Sequence, residues 1–380
     1  MSPDVEPNTG PISSQGGDEA TARESTPFDT RATELFGIRY PIVQTGMGWV
    51  AGSRLTAATS AAGALGVLAT ATMNYDELVR AIQRVKERTS NPFGVNFNPD
   101  LPDLDRRINL TISEGIPVAS FAGAPTRDVV AKLHDGGVLC VSTVGARRHA
   151  EKVVELGVDA IIAQGAEGGG HTGAVPTSLL VPQVVDAVGA SIPVLAAGGI
   201  HDGRGFIAAL ALGADGIAMG TRFLLTEESR VPTSVKVRYL ETGILDTVVT
   251  KAIDGRPQRV IRTDLISRLE RSSLLSRATG ALRSGLAFRK LNEASLGTLA
   301  NTGITMHRES GLPWNQVLMA ANAPMLTKAA LVEGRVDAGI LPTGQVVGVI
   351  ESIPTVADLI EHLIEQATMS LERINSMVDR

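Results

Sequence analysis

A run of glycines that ends in one histidine is the part of this sequence best suited to chemistry. Gly168, Gly169 and Gly170 precede His171, and the apolar segment 160–163 lies shortly before them. Glycines let a flat or anionic ligand approach the main chain, because no Cβ atom stands in the way. An imidazole has an ordinary pKa of about 6.5, which suits proton transfer at neutral pH. We therefore predict a strand that leads into a ligand-binding loop with His171 as acid or base; the alternative is a flexible loop with a solvated histidine.

A carboxylate in the same loop has two possible roles. Glu167 lies four residues before His171. It could orient the imidazole, or it could hold the loop in place by accepting backbone N–H bonds. We expect the second, structural role.

The rest of the chain indicates a scaffold that would position this loop. Short apolar segments alternate with amphipathic stretches such as 76–88 and 146–156, which favours a parallel sheet covered by helices. Eight such units match an α/β fold of the (β/α)8, or TIM, barrel type, and the absence of alternation within the segments suits strands buried on both faces. The eight predicted strands are 42–44, 66–69, 93–96, 118–121, 138–142, 160–164, 193–197 and 216–220.

Composition changes along the chain predict four regions. Residues 1–27 are rich in Ser, Thr, Pro and acidic residues and are expected to form a disordered tail without the apolar core of a signal peptide. The barrel is assigned to 28–226. A mostly helical, more basic insertion, which we expect to act as a substrate cap, is assigned to 227–310. The C-terminal segment 311–380 contains two predicted helices and is expected to pack back on the barrel.

Glycines at the ends of the last two predicted strands suggest a phosphate site. Gly198 and Gly199 follow the seventh strand, and Gly220 and Thr221 follow the eighth at the start of a helix. Backbone N–H groups and a helix N-terminus at this position bind phosphate in many barrels of this type. Two tight turns selected for packing are the alternative.

Composition excludes several classes of function. A net charge of −5 and an aromatic content of 3% give no support to nucleic-acid binding. Cys140 is the only cysteine, which excludes intrachain disulfides and Cys-based zinc sites and favours the cytoplasm; we expect it to be a buried, inert thiol. No apolar run reaches the roughly 18 residues of a membrane span, and the six histidines show no metal-ligand spacing. The sequence leaves open whether the protein forms a homo-oligomer.

A dinucleotide-binding pattern near the first strand is discounted. Gly46, Gly48 and Ala51 fit the spacing G-x-G-x-x-A. A Rossmann site also needs an acidic residue at the end of the second strand, about 20 residues further on. The sequence has Ala69 and Thr70 there.

The glycine–histidine loop and the glycines that follow the last two strands resemble those of a known family. It is the FMN-dependent nitronate monooxygenase, or 2-nitropropane dioxygenase, family, to which flavin-type enoyl-carrier-protein reductases are related. Gly168 departs from the alanine common at that position of the family. Within the family, the chain is most similar to the actinobacterial flavin oxidoreductases that act on CoA thioesters in steroid-ring (indane) degradation. The family resemblance rests on Glu167, Gly169, Gly170, His171, Gly173, Gly344, Gln345 and segments 196–199 and 213–223, and the narrower one on segments 44–52, 219–226 and 316–322.

The resemblance implies FMN across the mouth of the barrel, with His171 facing the substrate as acid or base. The phosphate is expected at Gly198, Gly199, Gly220 and Thr221. The rest of the cofactor is expected at Thr45, Gly46, Met47, Asn96, Gln164, Gly170, Ala197 and Met219. The substrate side is assigned, more weakly, to Trp49, Gly344 and Gln345.

The resemblance also implies the reaction: oxidation, that is desaturation, of a small carbon-acid substrate such as a CoA thioester. Alternatives are a monooxygenase that oxidises alkyl nitronates with O2, a flavin-type enoyl-thioester reductase, and a flavin-binding protein without catalysis. Basic side chains of the insertion are candidates for binding the CoA phosphates, or else form a solvated face. They are Lys236, Arg238, Lys251, Arg256, Arg259 and Arg262.

Overall fold

The computed structural model describes residues 28–271 and 314–378, and side chains throughout these ranges except in 314–322. The predicted tail at 1–27 and the part of the insertion at 272–310 lie outside the described residues.

Eight parallel strands form a closed barrel in chain order, and the last strand pairs with the first. Each predicted apolar segment coincides with one strand to within two residues at either end, so the predicted (β/α)8 barrel is confirmed. The strands are β1 (Ile42–Gln44), β2 (Leu65–Ala69), β3 (Phe93–Phe97), β4 (Val118–Phe121), β5 (Leu139–Val144), β6 (Ala160–Gln164), β8 (Val194–Ala197) and β9 (Gly216–Met219); β7 (Gly170–His171) lies outside the barrel.

Side chains fill the barrel interior. Val43, Leu65 and Ile162 belong to one buried apolar cluster, which also includes Phe36. Phe36 lies on the first helix, α1 (Arg31–Phe36). Thr30 and Arg31 anchor this helix to Asp215, just before β9, with a hydrogen bond of 2.6 Å from Thr30 Oγ1 to the Asp215 carbonyl. Helix α1 therefore closes the amino-terminal end of the barrel and leaves the carboxyl end free for a site.

Helices cover the outer face of the barrel, and local sequence signals set where they begin. Asn74 Oδ1 accepts a hydrogen bond from Glu77 N at 2.9 Å, and Asp202 Oδ1 accepts one from Gly205 N at 2.9 Å, as expected for helix N-caps. Asp202 thus caps the helix that begins at Gly203. The covering helices are α2 (Ser53–Ala61), α3 (Tyr75–Lys86), α4 (Leu104–Ser113), α5 (Arg127–Asp135), α6 (Arg147–Leu156), α7 (Thr177–Val188), α8 (Gly203–Ala211) and α9 (Thr221–Leu224).

The described part of the insertion contains a β-hairpin as well as helices. Strand β10 (Thr247–Thr250) pairs antiparallel with β11 (Gln258–Ile261), and β11 pairs antiparallel with β7. Helices α10 (Thr233–Leu240) and α11 (Asp264–Arg271) flank the hairpin. The helical prediction did not anticipate these strands, and they carry the insertion to the glycine–histidine loop.

Two helices follow, α12 (Trp314–Leu331) and α13 (Val356–Val378). Helix α13 packs on α8 so tightly that a Cβ on Gly203 would lie 2.3 Å from Ala367 N. Gly203 N also donates to Gln366 Oε1 at 3.2 Å. The C-terminal segment thus lies against the barrel. None of the helices in 28–271 and 314–378 is long and apolar enough to cross a membrane.

Candidate active site

Strand register brings the predicted site loops to one end of the barrel. Gln44 lies opposite Met219, and Gln164 lies opposite Ala197. The loops that follow β1, β6, β8 and β9 therefore begin side by side. They emerge at the carboxyl ends of the strands, where barrel enzymes place their active sites.

The loop after β6 is held by its own polar groups. Gln164 Nε2 donates to the carbonyl of His171 at 2.8 Å. The Glu167 carboxylate accepts from Thr177 N at 3.0 Å and from Thr177 Oγ1 at 2.8 Å, at the start of α7. Glu167 thus holds the loop in place, as expected, and its carboxylate bonds to Thr177 and not to the imidazole of His171.

Gly170 borders open space at the lip of the barrel. Its φ angle is 66°, in the left-handed region that favours glycine, and a Cβ added to it would meet no atom within 4 Å. Neighbouring Gly169 packs differently, because its Cβ would lie 2.4 Å from the backbone of Thr343. One glycine of the run therefore permits contact with another chain segment, and the next leaves a bare surface.

The imidazole of His171 contacts a carboxylate from the insertion. His171 Nε2 lies 2.7 Å from Asp254 Oδ2; the His171 side chain is 57% exposed and that of Asp254 is 9% exposed. Gln258 Nε2 donates to the same carboxylate oxygen, and Arg256 N donates to Asp254 Oδ1 at 3.0 Å. Burial by itself would raise the pKa of Asp254, but hydrogen bonds and the charge of His171 together hold it below its ordinary value.

The loops after β8 and β9 present unused backbone donors. Gly198 and Gly199 have φ angles of 93° and 76°, and the N–H groups of Gly199 and Gly220 have no hydrogen-bond acceptor in the described part of the chain. Thr221 Oγ1 accepts from Gly344 N at 2.8 Å, which ties the rim to the segment 339–349. This arrangement suits an anionic group that accepts from main-chain N–H groups.

On the other side of the mouth, the loop after β1 lies against β3 and β9. A Cβ on Gly46 would lie 2.2 Å from Asn96 Cβ, so only glycine allows this approach. Asn96 Nδ2 donates to Ser120 O at 3.3 Å, and Thr45 N donates to Met219 O at 3.1 Å. Met47 Sδ would lie 3.3 Å from a Cβ on Gly220, so this loop also meets the phosphate-side rim.

Trp49 links the barrel mouth to α12. It is the one non-glycine residue among those described with a positive φ, 64°. Its main-chain carbonyl accepts from Arg230 Nε at 2.7 Å, and its indole Nε1 donates to Pro324 O at 3.1 Å. Gln345 N donates to Glu167 O at 2.9 Å, which places the segment 339–349 over the glycine–histidine loop. The residues assigned to the substrate side therefore lie on two flanks of the mouth.

A family model described as nitronate monooxygenase matches residues 29–366. The chain belongs to the nitronate monooxygenase family. It is accordingly an oxidoreductase, and the enzymes of this family depend on a flavin.

Two curated relatives of this chain share one name. Both are called (3aS,4S,5R,7aS)-5-hydroxy-7a-methyl-1-oxo-octahydro-1H-indene-4-carboxyl-CoA dehydrogenase. The Mycobacterium tuberculosis protein is 51% identical over 92% of this chain and 99% of its own length. The Rhodococcus jostii protein is 51% identical over 92% of this chain and 98% of its own length. Among solved structures, FabK from Thermotoga maritima is 33% identical with a TM-score of 0.72, over 92% of this chain and 99% of that one.

The basic residues of the insertion do not form one surface in this family member. Lys236 is buried, and its Nζ donates to the carbonyls of Thr226 and Ser229 at 2.6 and 2.9 Å. Arg259 donates to Ala166 O at 3.0 Å. Lys236 is therefore an internal structural group, and assigning it to CoA binding or to a solvated face was wrong. Arg259 is half-buried, with its guanidinium held by a main-chain carbonyl. Lys251 and Arg256 are the exposed members in the turn between β10 and β11.

Sequence reasoning missed Asp254 and Gln258, the two side chains nearest the imidazole. A signal was present, since Asp254 and Gly255 form the Asp-Gly pair typical of a hairpin turn. The Asp-Gly pair lies between two short strands in a region whose apolar residues mostly have helical spacing, so the hairpin was not predicted. Cys140, by contrast, behaves as expected: it is buried, and burial raises the pKa of its thiol to about 12.

Proposed function

We propose that this protein is an FMN-dependent dehydrogenase that desaturates a CoA thioester, with His171 as the acid–base residue. The observation that carries the proposal is the imidazole of His171, backed by a buried carboxylate, beside the bare surface of Gly170. Two relatives with 51% identity are named as dehydrogenases of a carboxyl-CoA compound. That name supports a CoA thioester as the substrate class.

The described residues fit FMN. The free N–H groups of Gly199 and Gly220, together with Gly198 and Thr221, would hold its phosphate. The open side of Gly170 would accept one edge of a flat ring. Other residues around the ring would be Thr45, Gly46, Met47, Asn96, Gln164, Ala197 and Met219. When bound, FMN supplies a two-electron acceptor for hydride.

His171 would remove the proton from the carbon next to the thioester carbonyl. That C–H bond is the acidic one in a thioester, because the carbonyl stabilises the negative charge left behind. FMN, when bound, would supply the acceptor for the hydride of the adjacent carbon, so the proton held by the imidazole and this hydride together account for the new C=C bond. The 57% exposure of the His171 side chain gives the imidazole a route to release the proton to water.

A second candidate function is oxidation of an alkyl nitronate with O2. The description of the matched family favours it. A nitronate has already lost the proton of the carbon bonded to its nitrogen, so in this reaction His171 would not act as the base on that carbon. Reduction of an enoyl thioester is the reverse of the first reaction, so the same site could run it with a reduced flavin.

The decisive experiment begins with the visible spectrum of the purified protein. We expect a yellow protein whose released cofactor is FMN. Under anaerobic conditions, a panel of saturated cyclic acyl-CoA compounds should bleach the flavin, while propionate-3-nitronate should not. Bleaching by the nitronate alone would select the second function. A colourless protein that takes up no FMN would remove the cofactor from the proposal.

We also propose the cytoplasm as the compartment of this enzyme. The use of a single, buried cysteine supports a reducing environment. The charged phosphates of a CoA thioester keep it from crossing membranes, which also favours the compartment where it is made. Fractionation of cells that express the tagged protein would test this placement.

A further inference from the structure

The hairpin of the insertion brings a carboxylate to His171 by strand register. Gln258 of β11 lies directly opposite His171 of β7, and Asp254 precedes Gln258 by four residues in the hairpin turn. Two backbone pairs, Gln258 with His171 and Arg259 with Gly170, fix this alignment. Thr172 N adds a hydrogen bond of 3.2 Å to Pro257 O. The position of Asp254 relative to the imidazole is therefore set by main-chain contacts on both sides.

Asp254 is a buried carboxylate whose hydrogen bonds favour the ionised form. Its side chain is 9% exposed, and Oδ1 accepts from the N–H of Arg256 while Oδ2 faces His171 and Gln258. Burial of a carboxylate is costly unless donors compensate it, and here three donors surround it. The depressed pKa of Asp254 agrees with this arrangement. A carboxylate of this kind accepts a hydrogen bond from an N–H group and does not donate a proton itself.

Other charged groups near the imidazole point elsewhere. Arg259 extends to Ala166 O and to Thr247 Oγ1, at 3.0 and 2.9 Å. Glu167 faces Thr177. The Arg256 residue is exposed, and only its main-chain N–H contacts Asp254. Among the described residues, Asp254 is thus the charged side chain in contact with His171.

We propose that Asp254 is a positioning residue that fixes His171 with its proton on Nε2, that Gln258 holds Asp254 in place, and that Nδ1 is the reactive nitrogen. The inference rests on the proposed function only where it concerns turnover. Ionised Asp254 can only accept, so Nε2, which lies 2.7 Å from Oδ2, carries the proton that it donates. Gln258 Nε2 lies 3.1 Å from the same ring nitrogen and gives its own hydrogen bond to the carboxylate. The lone pair then resides on Nδ1, which has no hydrogen-bond partner in the described ranges.

This assignment changes how the proton moves. Nδ1 takes the substrate proton, the imidazole becomes positively charged, and ionised Asp254 stabilises that charge without taking the proton. Gln258 Nε2 donates to the carboxylate oxygen that faces His171 and lies 3.1 Å from His171 Nε2, so it contacts both members of the pair. The alternative is that Asp254 only closes the hairpin turn, in which case the tautomer of His171 would not depend on it.

The tautomer can be measured without any substrate. The holoenzyme labelled with ¹⁵N-histidine is studied by two-dimensional NMR that correlates ring nitrogens with ring protons, and His171→Gln identifies the signals of His171. We expect the pattern of Nε2–H with unprotonated Nδ1 in the wild type, and loss of this single pattern in Asp254→Asn. A wild-type pattern with the proton on Nδ1, or an unchanged pattern in Asp254→Asn, overturns the proposal.

Turnover supplies the second measurement. Asp254→Asn should lower kcat by about 10²-fold with KM and FMN content near wild-type values. It should also move the acidic limb of the pH profile to lower pH, because the imidazolium loses its counter-charge. Asp254→Glu should restore part of kcat. Asp246→Asn is the matched control, since Asp246 lies at the base of the same hairpin and its carboxylate accepts from Gly243 N at 2.9 Å, away from His171.

The NMR and turnover measurements distinguish failure of the positioning role from failure of the proposed function. If no thioester or nitronate reduces the wild-type flavin, the proposed function fails, and the NMR pattern still decides the role of Asp254. If wild-type turnover is present and Asp254→Asn matches it in kcat and pH profile, the positioning role is wrong while the proposed function stands.

Discussion

At the scale of single residues, the site depends on what surrounds two positions in one loop. Gly170 supplies a surface without a side chain, and His171 supplies an imidazole at that surface. The chain contains a second His–Asp pair, His134 and Asp159, with Nε2 and Oδ2 2.9 Å apart. It lies at the closed, amino-terminal end of the barrel and offers an internal comparison for the first.

Replacement of His171 by Ala should separate binding from catalysis. The flavin surface is made by backbone and glycines, so FMN content should stay at the wild-type level. Turnover should fall by about 10²-fold or more, the usual range for a lost general acid or base. His134→Ala is the control, because it removes an imidazole from an equivalent carboxylate contact far from the mouth. Turnover of His171→Ala that equals that of His134→Ala would remove His171 from the mechanism.

Gly170→Ala tests the bare surface. Gly170 and Gly115 have nearly equal φ angles, 66° and 62°, and a Cβ on either would meet no protein atom within 4 Å. Both variants therefore incur a similar strain of about 1–2 kcal/mol in the left-handed region. Only Gly170→Ala should weaken FMN binding, measured by fluorescence titration of the apoprotein. Equal FMN affinities for the two variants would contradict a ligand surface at Gly170.

At the scale of elements, the insertion and the barrel share one layer over the mouth. Strand β11 pairs with β7, Thr343 N donates to Arg259 O at 3.3 Å, and Tyr239 Oη donates to Pro342 O at 2.9 Å. The glycine–histidine loop is therefore held from below by the barrel and from the side by the insertion. A loop of this kind can stay bare and still keep a fixed shape.

Arg259→Met should loosen this layer without unfolding the barrel. The variant removes a half-buried hydrogen bond from a charged donor to the carbonyl of Ala166, a loss of about 1.5–3 kcal/mol at most. We expect faster hydrogen exchange in residues 247–261 and 166–172, with unchanged exchange in the barrel strands. Arg262→Met is the control, because Arg262 lies one residue beyond β11 and is exposed. Equal exchange in both variants would show that Arg259 does not couple the two elements.

At the scale of the whole molecule, the exposed positive charges near the site lie in the hairpin turn. Lys251 and Arg256 belong to the turn that carries Asp254, whereas Arg238 and Arg262 pair loosely with Glu241 and Glu270 at 3.9 and 4.0 Å. A CoA thioester with its carbonyl at His171 must extend its phosphates outward. Within residues 227–271 of the insertion, the turn is the exposed basic part closest to that point.

Lys251→Ala combined with Arg256→Ala should therefore raise KM for an acyl-CoA about tenfold, equivalent to about 1.4 kcal/mol. The same change should not affect KM for the matching N-acetylcysteamine thioester, which lacks the phosphates. Arg238→Ala combined with Arg262→Ala is the control pair. If both pairs leave KM for the acyl-CoA unchanged, the CoA phosphates bind elsewhere.

Local sequence patterns determined much of this molecule. Runs of apolar residues at β1 to β6, β8 and β9 must be buried on both faces, and the amphipathic stretches between them must cover a sheet; together these constraints specify a barrel. Glycines at strand ends, such as Gly199 and Gly220, could be assigned to the mouth because parallel strands end on the same side. Each of these inferences needs only short-range spacing.

Only the tertiary structure decided the partner of the histidine. His171 and Asp254 are 83 residues apart, and their contact depends on the pairing of a two-residue strand with a hairpin, which no local period encodes. The same holds for Lys236 and Arg259, whose charges resemble surface charges in sequence but are used inside the fold. Sequence thus determined which residues could do chemistry, and long-range packing determined which nitrogen, carboxylate and surface they meet.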